Sequence, residues 1–187
     1  LSEVTVEMEG FFDTNTLAPA TTLEAWMDAR LGTTFPLVYA PEGGDQVGDP
    51  AYFLNGFLQT YSVEATVDEA ATMELEFRGT GGLSRGLMVQ PDTTQNADDA
   101  DGITFHDNGA ATTAGGSAVL SVSSVSGTLP TILVKLQHSA DNITYVDLVG
   151  GGFTSQNSVN AEIITFSGTV NRYVRAVWDL GGTSPIF

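Results

Sequence analysis

Apolar and polar residues alternate along several stretches of this chain. In two of them every second residue is apolar, and the residues between are polar and include pairs of glutamates. The apolar positions are Val4, Val6, Met8, Met73, Leu75 and Phe77. A period of two turns one row of side chains toward a core and the other toward water, so both stretches are predicted β-strands.

The same pattern, interrupted by turn residues, predicts further strands. We expect strands at 35–40 and 51–64, the second bulged at Gly56, with a turn at 41–45 between them. Candidates in the second half of the chain are 118–126, 131–139, 143–149, 161–167 and 172–180. Short strands at this spacing favour a β-sandwich.

One segment departs from the two-residue period. Its apolar residues recur at helical spacing and are Leu23, Trp26, Met27 and Leu31. Thr21 and Glu24 can form a capping box at its start, and Gly32 suits the position just after a last helical turn. The sequence therefore predicts one helix, at about 22–31, packed with its apolar side on a sheet.

Composition divides the chain. Between 91 and 116 it shifts to Asp, Asn, Thr, Ala and Gly, which is typical of a connector. We therefore predict a mainly β protein with a β domain at 1–90, an acidic and glycine-rich connector at 91–116, and a β-sandwich unit at 117–187. The segment 139–142 within that unit is predicted to be a hairpin turn.

Charge and composition exclude several classes of function. Lysine and arginine number 6 against 23 acidic residues, a net charge of −17 that repels phosphate backbones. There is no cysteine, so disulfides, thiolate metal sites and a catalytic thiol are excluded. No apolar run reaches the roughly 18–20 residues that span a bilayer, and we expect no membrane association.

No constellation of catalytic residues stands out. Only His106 and His138 could serve as an imidazole base, and neither lies in a nucleophile motif, so we interpret both as structural. The glutamates at 74 and 76, like those at 7 and 9, occupy the polar face of a strand, where a carboxyl group stays solvated. We therefore predict that the chain is not an enzyme and uses no cofactor.

Two glycine-containing segments resemble ligand loops only superficially. The acidic segment 96–102 has the glycine of a calcium loop, but its register puts Ala97 at the first ligand position, which favours a disordered connector over a calcium site. The segment 79–82 lacks the helix and lysine of a phosphate loop and is predicted to be a turn. Nearby Arg78 and Arg85 are expected to pair with acids within or between subunits. We predict no metal site.

An ordered set of segments resembles the tail tube, or major tail, proteins of long-tailed bacteriophages. The matching pieces are 1–13, the predicted helix, 36–43, 48–52 and 81–86, followed by 136–141 and 168–176. Family members usually begin with further strands upstream of the position that matches Leu1. We accordingly expect this chain to be processed or incomplete.

The resemblance implies a β-sandwich or barrel flanked by one helix. It also implies subunits that close into rings, six-fold in this family, and stack into a hollow tube through which DNA passes. The partners would be other copies of the chain and other tail proteins, in a virion tail assembled in the host cytoplasm. Under this hypothesis the candidate residues facing the lumen are Glu7, Glu9, Glu74 and Glu76, because an acidic wall repels phosphates.

A second hypothesis is a carbohydrate-binding or adhesin-like β-sandwich. Tyr145, Tyr173 or Trp178 would then stack on sugars. Trp178, however, shares a strand face with Val174 and Ala176, which favours packing in a core.

Overall fold

The described part of the chain consists mainly of β-strands that pair in antiparallel sheets. The computed structural model describes residues 4–11, 16–17, 21–22, 27, 30–64, 72–100, 102 and 104–187, with the backbone alone at 8–11, 16–17 and 21–22. The strands up to residue 87 are β1 Thr5–Phe11, β2 Thr16–Leu17, β3 Thr21–Thr22, β4 Thr34–Tyr39, β5 Pro50–Glu64, β6 Thr72–Gly79 and β7 Ser84–Leu87. The remaining strands are β8 His106–Asp107, β9 Gly116–Val122, β10 Ser126–Ser139, β11 Val146–Gly152, β12 Asn160–Phe166 and β13 Tyr173–Ile186. The predicted mainly β class is confirmed.

The chain divides into two compact units. The first comprises Leu1–Leu37 and Leu54–Ser84, and the second comprises Val38–Phe53 and Arg85–Phe187. The predicted connector at 91–116 lies, in its described residues, inside the second unit. No helix among the described residues is long and apolar enough to cross a membrane.

Five of the strands before residue 90 form one sheet in the order β1-β6-β5-β4, with β7 also paired to β5, while β2 and β3 form a separate two-stranded sheet. Strands β1 and β6 pair without interruption, from Thr5 opposite Arg78 to Phe11 opposite Thr72. The predicted strands at 4–9, 35–40, 51–64 and 73–78 are confirmed. A period of two in sequence has become a sheet with one apolar face and one polar face.

Strand β5 has its bulge at Gln59, and the prediction of a bulge at Gly56 is wrong. Gly56 pairs in register with Gly79, whereas the register with β6 shifts between Leu58 and Thr60. Glycine is needed at position 56 for a steric reason instead. A Cβ there would collide with the carbonyl oxygen of Arg78 and would lie 2.5 Å from a ring carbon of Phe77.

The apolar face of this sheet holds the core of the first unit. Phe77 of β6 and Met27 are each 1% exposed, and Leu54 and Leu58 of β5 are 4% exposed. The rings of Phe35 and Phe77 meet edge to face with their centroids 5.0 Å apart. Burial of these side chains from water stabilises the unit.

The predicted helix at about 22–31 is not confirmed. Thr21 and Thr22 form strand β3, which pairs with β2, so Thr21 does not cap a helix. Residues 23–26 and 28–29 lie outside the described residues. Met27 has helical backbone and its carbonyl accepts the Leu31 amide at 3.0 Å, which amounts to one turn. Chain pairing at β2 and β3 thus overrides the capping signal, because β-branched threonines favour extended backbone.

Within the second unit, the strands from β8 onward form a small β-sandwich. One sheet has the order β11-β10-β13-β8 and the other consists of β12 and β9. Side chains from both sheets form one buried cluster, which includes Val174, Ala176 and Trp178 of β13, Leu148 of β11 and Val122 of β9. The predicted apolar face of the last strand is confirmed, as are the strands at 118–126, 131–139, 143–149, 161–167 and 172–180 apart from shifted ends.

The predicted hairpin turn at 139–142 joins β10 to β11. Asn142 adopts a left-handed backbone with φ of 61°. The Asp141 side chain accepts the amides of Ile143 and Thr144, each at 2.9 Å, and the Ser139 hydroxyl at 2.8 Å. These donors lower the pKa of Asp141, the amide of Thr144 most strongly. One carboxylate therefore organises the whole turn.

The predicted connector runs along the second unit as irregular extended chain. Asp99 and Trp178 exchange both backbone hydrogen bonds at 3.0 Å, and Thr112 and Val170 do the same at 2.9 Å. Strand β8 pairs with β13 in the same segment. A disordered connector was expected here, but these hydrogen bonds hold its described residues against the unit.

Candidate functional site

Four glutamates occupy one face of the pair β1 and β6. Antiparallel register sets Glu7 opposite Glu76 and Glu9 opposite Glu74. Residues directly opposite each other in a sheet share a face, as do alternate residues along a strand. We call the four positions Glu7, Glu9, Glu74 and Glu76 the acidic face.

Strand β5 extends this polar surface. The bulge at Gln59 brings Thr60 opposite Glu76 and Ser62 opposite Glu74. The Thr60 hydroxyl donates to Glu76 Oε2 at 3.2 Å. Without the extra residue, Thr60 and Ser62 would turn toward the apolar side, because a shift of one residue exchanges the faces of a strand.

The surface here is a shallow depression open to solvent. It is lined by Glu7, Thr60, Tyr61, Ser62, Glu74 and Glu76. Glu7 and Glu74 are exposed and Glu76 is half-buried. Among the described residues no ion pair joins Glu7, Glu74 or Glu76 to a cation.

The chemistry available to this site is that of a solvated negative surface. General acid catalysis by a carboxyl group at neutral pH needs a desolvated environment that keeps the group protonated. Glu7 and Glu74, being exposed, have no such environment. What three or four in-register carboxylates offer is a concentrated negative potential over one face of a sheet.

The structure brings the predicted acids Glu7, Glu74 and Glu76 together on one face and describes their side chains. Glu9 is assigned to the same face by the register of its backbone alone. The contribution of Thr60 and Ser62 was missed from sequence. A change of phase along β5 is the signal that could have indicated their contribution. Leu54 and Leu58 are buried at even positions, but the next apolar residue is Tyr61, at an odd position.

The two histidines lie in the second unit, in structural positions. His138 Nδ1 accepts the amide of Asn171 at 3.1 Å. His106 sits in β8, paired with Val174 of β13. No group of three potential metal ligands occurs among the described histidines and acids.

Carboxylates of the predicted calcium-like segment are engaged with backbone amides. Asp98 Oδ1 accepts the Leu180 amide and Asp99 Oδ1 accepts the Gly102 amide, both at 2.6 Å. These hydrogen bonds fasten the segment to itself and to β13. Asp101 and Ile103 lie outside the described residues.

The three aromatic residues of the sugar-binding hypothesis all make contacts within the second unit. Trp178 is 6% exposed and its Nε1 donates to the Ala97 carbonyl at 3.0 Å. The Arg175 guanidinium lies 4.0 Å from the Tyr145 ring centroid. Tyr173 contacts the Phe105 ring and the Arg172 guanidinium. Buried Trp178 provides no stacking surface.

Comparison of the chain with known protein families, curated proteins and solved structures found no match.

Proposed function

We propose that the chain is a structural subunit of a bacteriophage tail tube. Copies assemble into stacked rings, six to a ring, and the acidic face lines the channel. DNA passes through without sequence-specific binding, and other tail proteins cap or extend the tube. The site of action is the virion tail, assembled in the host cytoplasm.

The observation that carries the proposal is the register of the acidic face. Glutamates placed directly opposite each other on adjacent strands repel, so the arrangement costs stability in an isolated subunit. Repeating the face around a ring would create a negative wall. Such a wall repels DNA phosphates at short range, which allows the polymer to slide without sticking.

Two further features support it. The sheet of the first unit is amphipathic, so its apolar side is buried while its acidic side is free to face a channel. The ordered sequence resemblance to tail tube proteins points to the same assembly. The aromatic contacts described above give the sugar-binding alternative no comparable support.

The test combines electron microscopy with charge reversal. Negative-stain images of the purified protein should contain rings or hollow tubes. The double variant Glu74→Lys and Glu76→Lys should form the same tubes but retain double-stranded DNA at low salt, whereas wild-type tubes release it. A protein that stays monomeric at every concentration would contradict the proposal.

A matched control places the same charge change elsewhere. Glu42 and Asp45 are exposed in the turn between β4 and β5. The double variant Glu42→Lys and Asp45→Lys alters net charge equally but leaves the acidic face intact. If the control tubes retain DNA as strongly as the Glu74 and Glu76 variant, the acidic face does not line the channel.

A further inference from the structure

The few cations of this chain are almost all engaged within the subunit. Arg172 makes a bidentate ion pair with Asp107, with both hydrogen bonds at 2.7 Å, and Lys135 pairs with Asp147 at 3.0 Å. The five cations with partners in the chain are Arg30, Arg78, Lys135, Arg172 and Arg175. Among the described residues Arg85 is exposed, and its side chain makes no hydrogen bond, ion pair or ring contact.

Strand β7 presents Arg85 together with an exposed leucine. Gly86 is half-buried, and a Cβ at that position would lie 3.6 Å from the Phe53 ring, so this side of β7 faces the protein. Its neighbours in the strand point the other way, because side chains alternate across a strand. Leu87 is 43% exposed on the side that Arg85 occupies.

The backbone of β7 also lies at an edge. Within the described sheets β7 pairs with β5 and with no other strand. An edge strand carries backbone groups that another chain can pair with. Strand β7 therefore combines a hydrogen-bonding edge, a hydrophobic side chain and an uncompensated positive charge.

The charge identifies the partner. A cation set beside a leucine complements a surface that is acidic with apolar positions between its acids. With 23 acidic residues against 6 basic ones, a second copy of the chain offers carboxylates in excess. Copies that carry −17 each repel, so a cation placed at the contact favours their association.

We propose that β7 is a contact between subunits, in which Arg85 pairs with carboxylates of a second copy while Leu87 packs against it. Within a closed ring such a contact is head to tail, so the acids that receive Arg85 belong to a different surface from β7. This inference rests on the proposed self-assembly. It adds the surface through which one copy recognises the next.

The experiment is sedimentation velocity over a range of concentrations, with circular dichroism to verify folding. Arg85→Glu should weaken association at least about tenfold, since an unpaired or like charge at a contact costs more than a neutral change. Arg85→Gln, which removes the charge alone, should weaken it less. Arg85→Lys should retain most of the association.

A control separates the position of the charge from net charge. Ala111 and Thr113 are exposed in the second unit. The double variant Ala111→Glu and Thr113→Glu lowers net charge by the same amount as Arg85→Glu, and should assemble nearly as the wild type does. Equal loss in both variants would overturn the proposal, because repulsion alone would then explain it.

The opposite reading of Arg85 is that it prevents edge pairing, as charged residues on edge strands often do. Arg85→Gln would then associate more strongly than the wild type, which would overturn the proposal. If rings persist in Arg85→Glu, the proposed β7 contact is refuted but the proposed tail tube is not. Oligomers that require Arg85 but are not hollow would support the contact and refute the tube, whereas a wild-type monomer would refute both.

Discussion

Glu7 of β1 and Glu76 of β6 stand directly opposite each other on the same face of a sheet. Like charges in this position destabilise a strand pair, and the cross-strand pairs that stabilise sheets contribute roughly 0.2–1 kcal/mol each. Replacing Glu7 by glutamine should therefore raise the free energy of unfolding by a few tenths of a kcal/mol at low salt. Urea unfolding of the two proteins measures the difference.

Salt dependence distinguishes this repulsion from other effects of the substitution. The gain should shrink toward zero in about 1 M salt, where the screening length is about 3 Å. Glu42→Gln, in the exposed turn before β5, is the control and should change stability little. A Glu7→Gln variant that is less stable than the wild type would show that Glu7 makes a favourable contact instead.

Gly56 is required by the close approach of β5 and β6. In Gly56→Ala the new methyl group would meet the Phe77 ring and the Arg78 carbonyl, so strands or ring must shift. Overpacking of this kind costs about 1–3 kcal/mol. Gly81→Ala is the matched control, because nothing lies within 4 Å of its Cβ position.

The comparison is made by thermal and urea unfolding of both alanine variants. Gly56→Ala should melt at a lower temperature while Gly81→Ala stays close to the wild type. Equal stability of the two variants would mean that the sheet accommodates the methyl group by a small movement. It would also remove the steric reason for glycine at 56.

In the first unit the alternating hydrophobic pattern of the sequence predicts the strands but not the position of the bulge. The strands at 4–9 and 73–78 follow directly from their period of two. In β5 the glycine at 56 predicts a bulge at the wrong residue, whereas the phase of the apolar residues indicates its true position. Leu54 and Leu58 keep one phase and Tyr61 begins another, so an extra residue must lie between 58 and 61.

The ion pair between Asp107 and Arg172 predicts a pH dependence. The hydrogen bonds from the Arg172 side chain, and next from the Gly109 amide, lower the pKa of Asp107 from 3.8 to about 2. Because the folded pKa is depressed, the pair contributes stability above about pH 4 and loses it as the pH falls toward 2. The stability of the wild type should therefore decline over that window.

Asp107→Asn tests the assignment. This variant lacks the titrating group, so its stability should fall less steeply between pH 4 and 2, and it should be less stable than the wild type at pH 7. Thermal unfolding followed at several pH values measures both. Parallel profiles for the two proteins would show that other carboxylates govern the acid transition.

The segment 91–116 shows what local composition does not reveal. Its small polar residues are typical of a connector, yet their backbone groups hydrogen-bond to partners far away in the sequence, as Asp99 does with Trp178. Partners that are remote in sequence leave no periodic signal. The helix at about 22–31 is not confirmed, and its capping signal is misleading for a related reason, since the strand pairing of Thr21 with Leu17 is not visible in a capping motif.

Hydrogen exchange should reveal this attachment directly. The amides of Asp99 and Thr112 each donate to a backbone carbonyl of the second unit, at 3.0 and 2.9 Å, and should exchange slowly. Ala111 is the internal reference, because its amide makes no backbone hydrogen bond among the described residues. A disordered connector would exchange rapidly at all three positions.

The variant Trp178→Phe sharpens the same measurement. It removes the hydrogen bond from Trp178 Nε1 to the Ala97 carbonyl, which lies two residues before Asp99. Loss of about 1 kcal/mol at that contact should accelerate exchange of the Asp99 amide about fivefold. Thr112 is fastened through Val170 rather than through Trp178, so its exchange should change less. An equal acceleration at Asp99 and Thr112 would mean that the segment opens together with the whole sandwich, because removal of one anchor would then loosen every part alike.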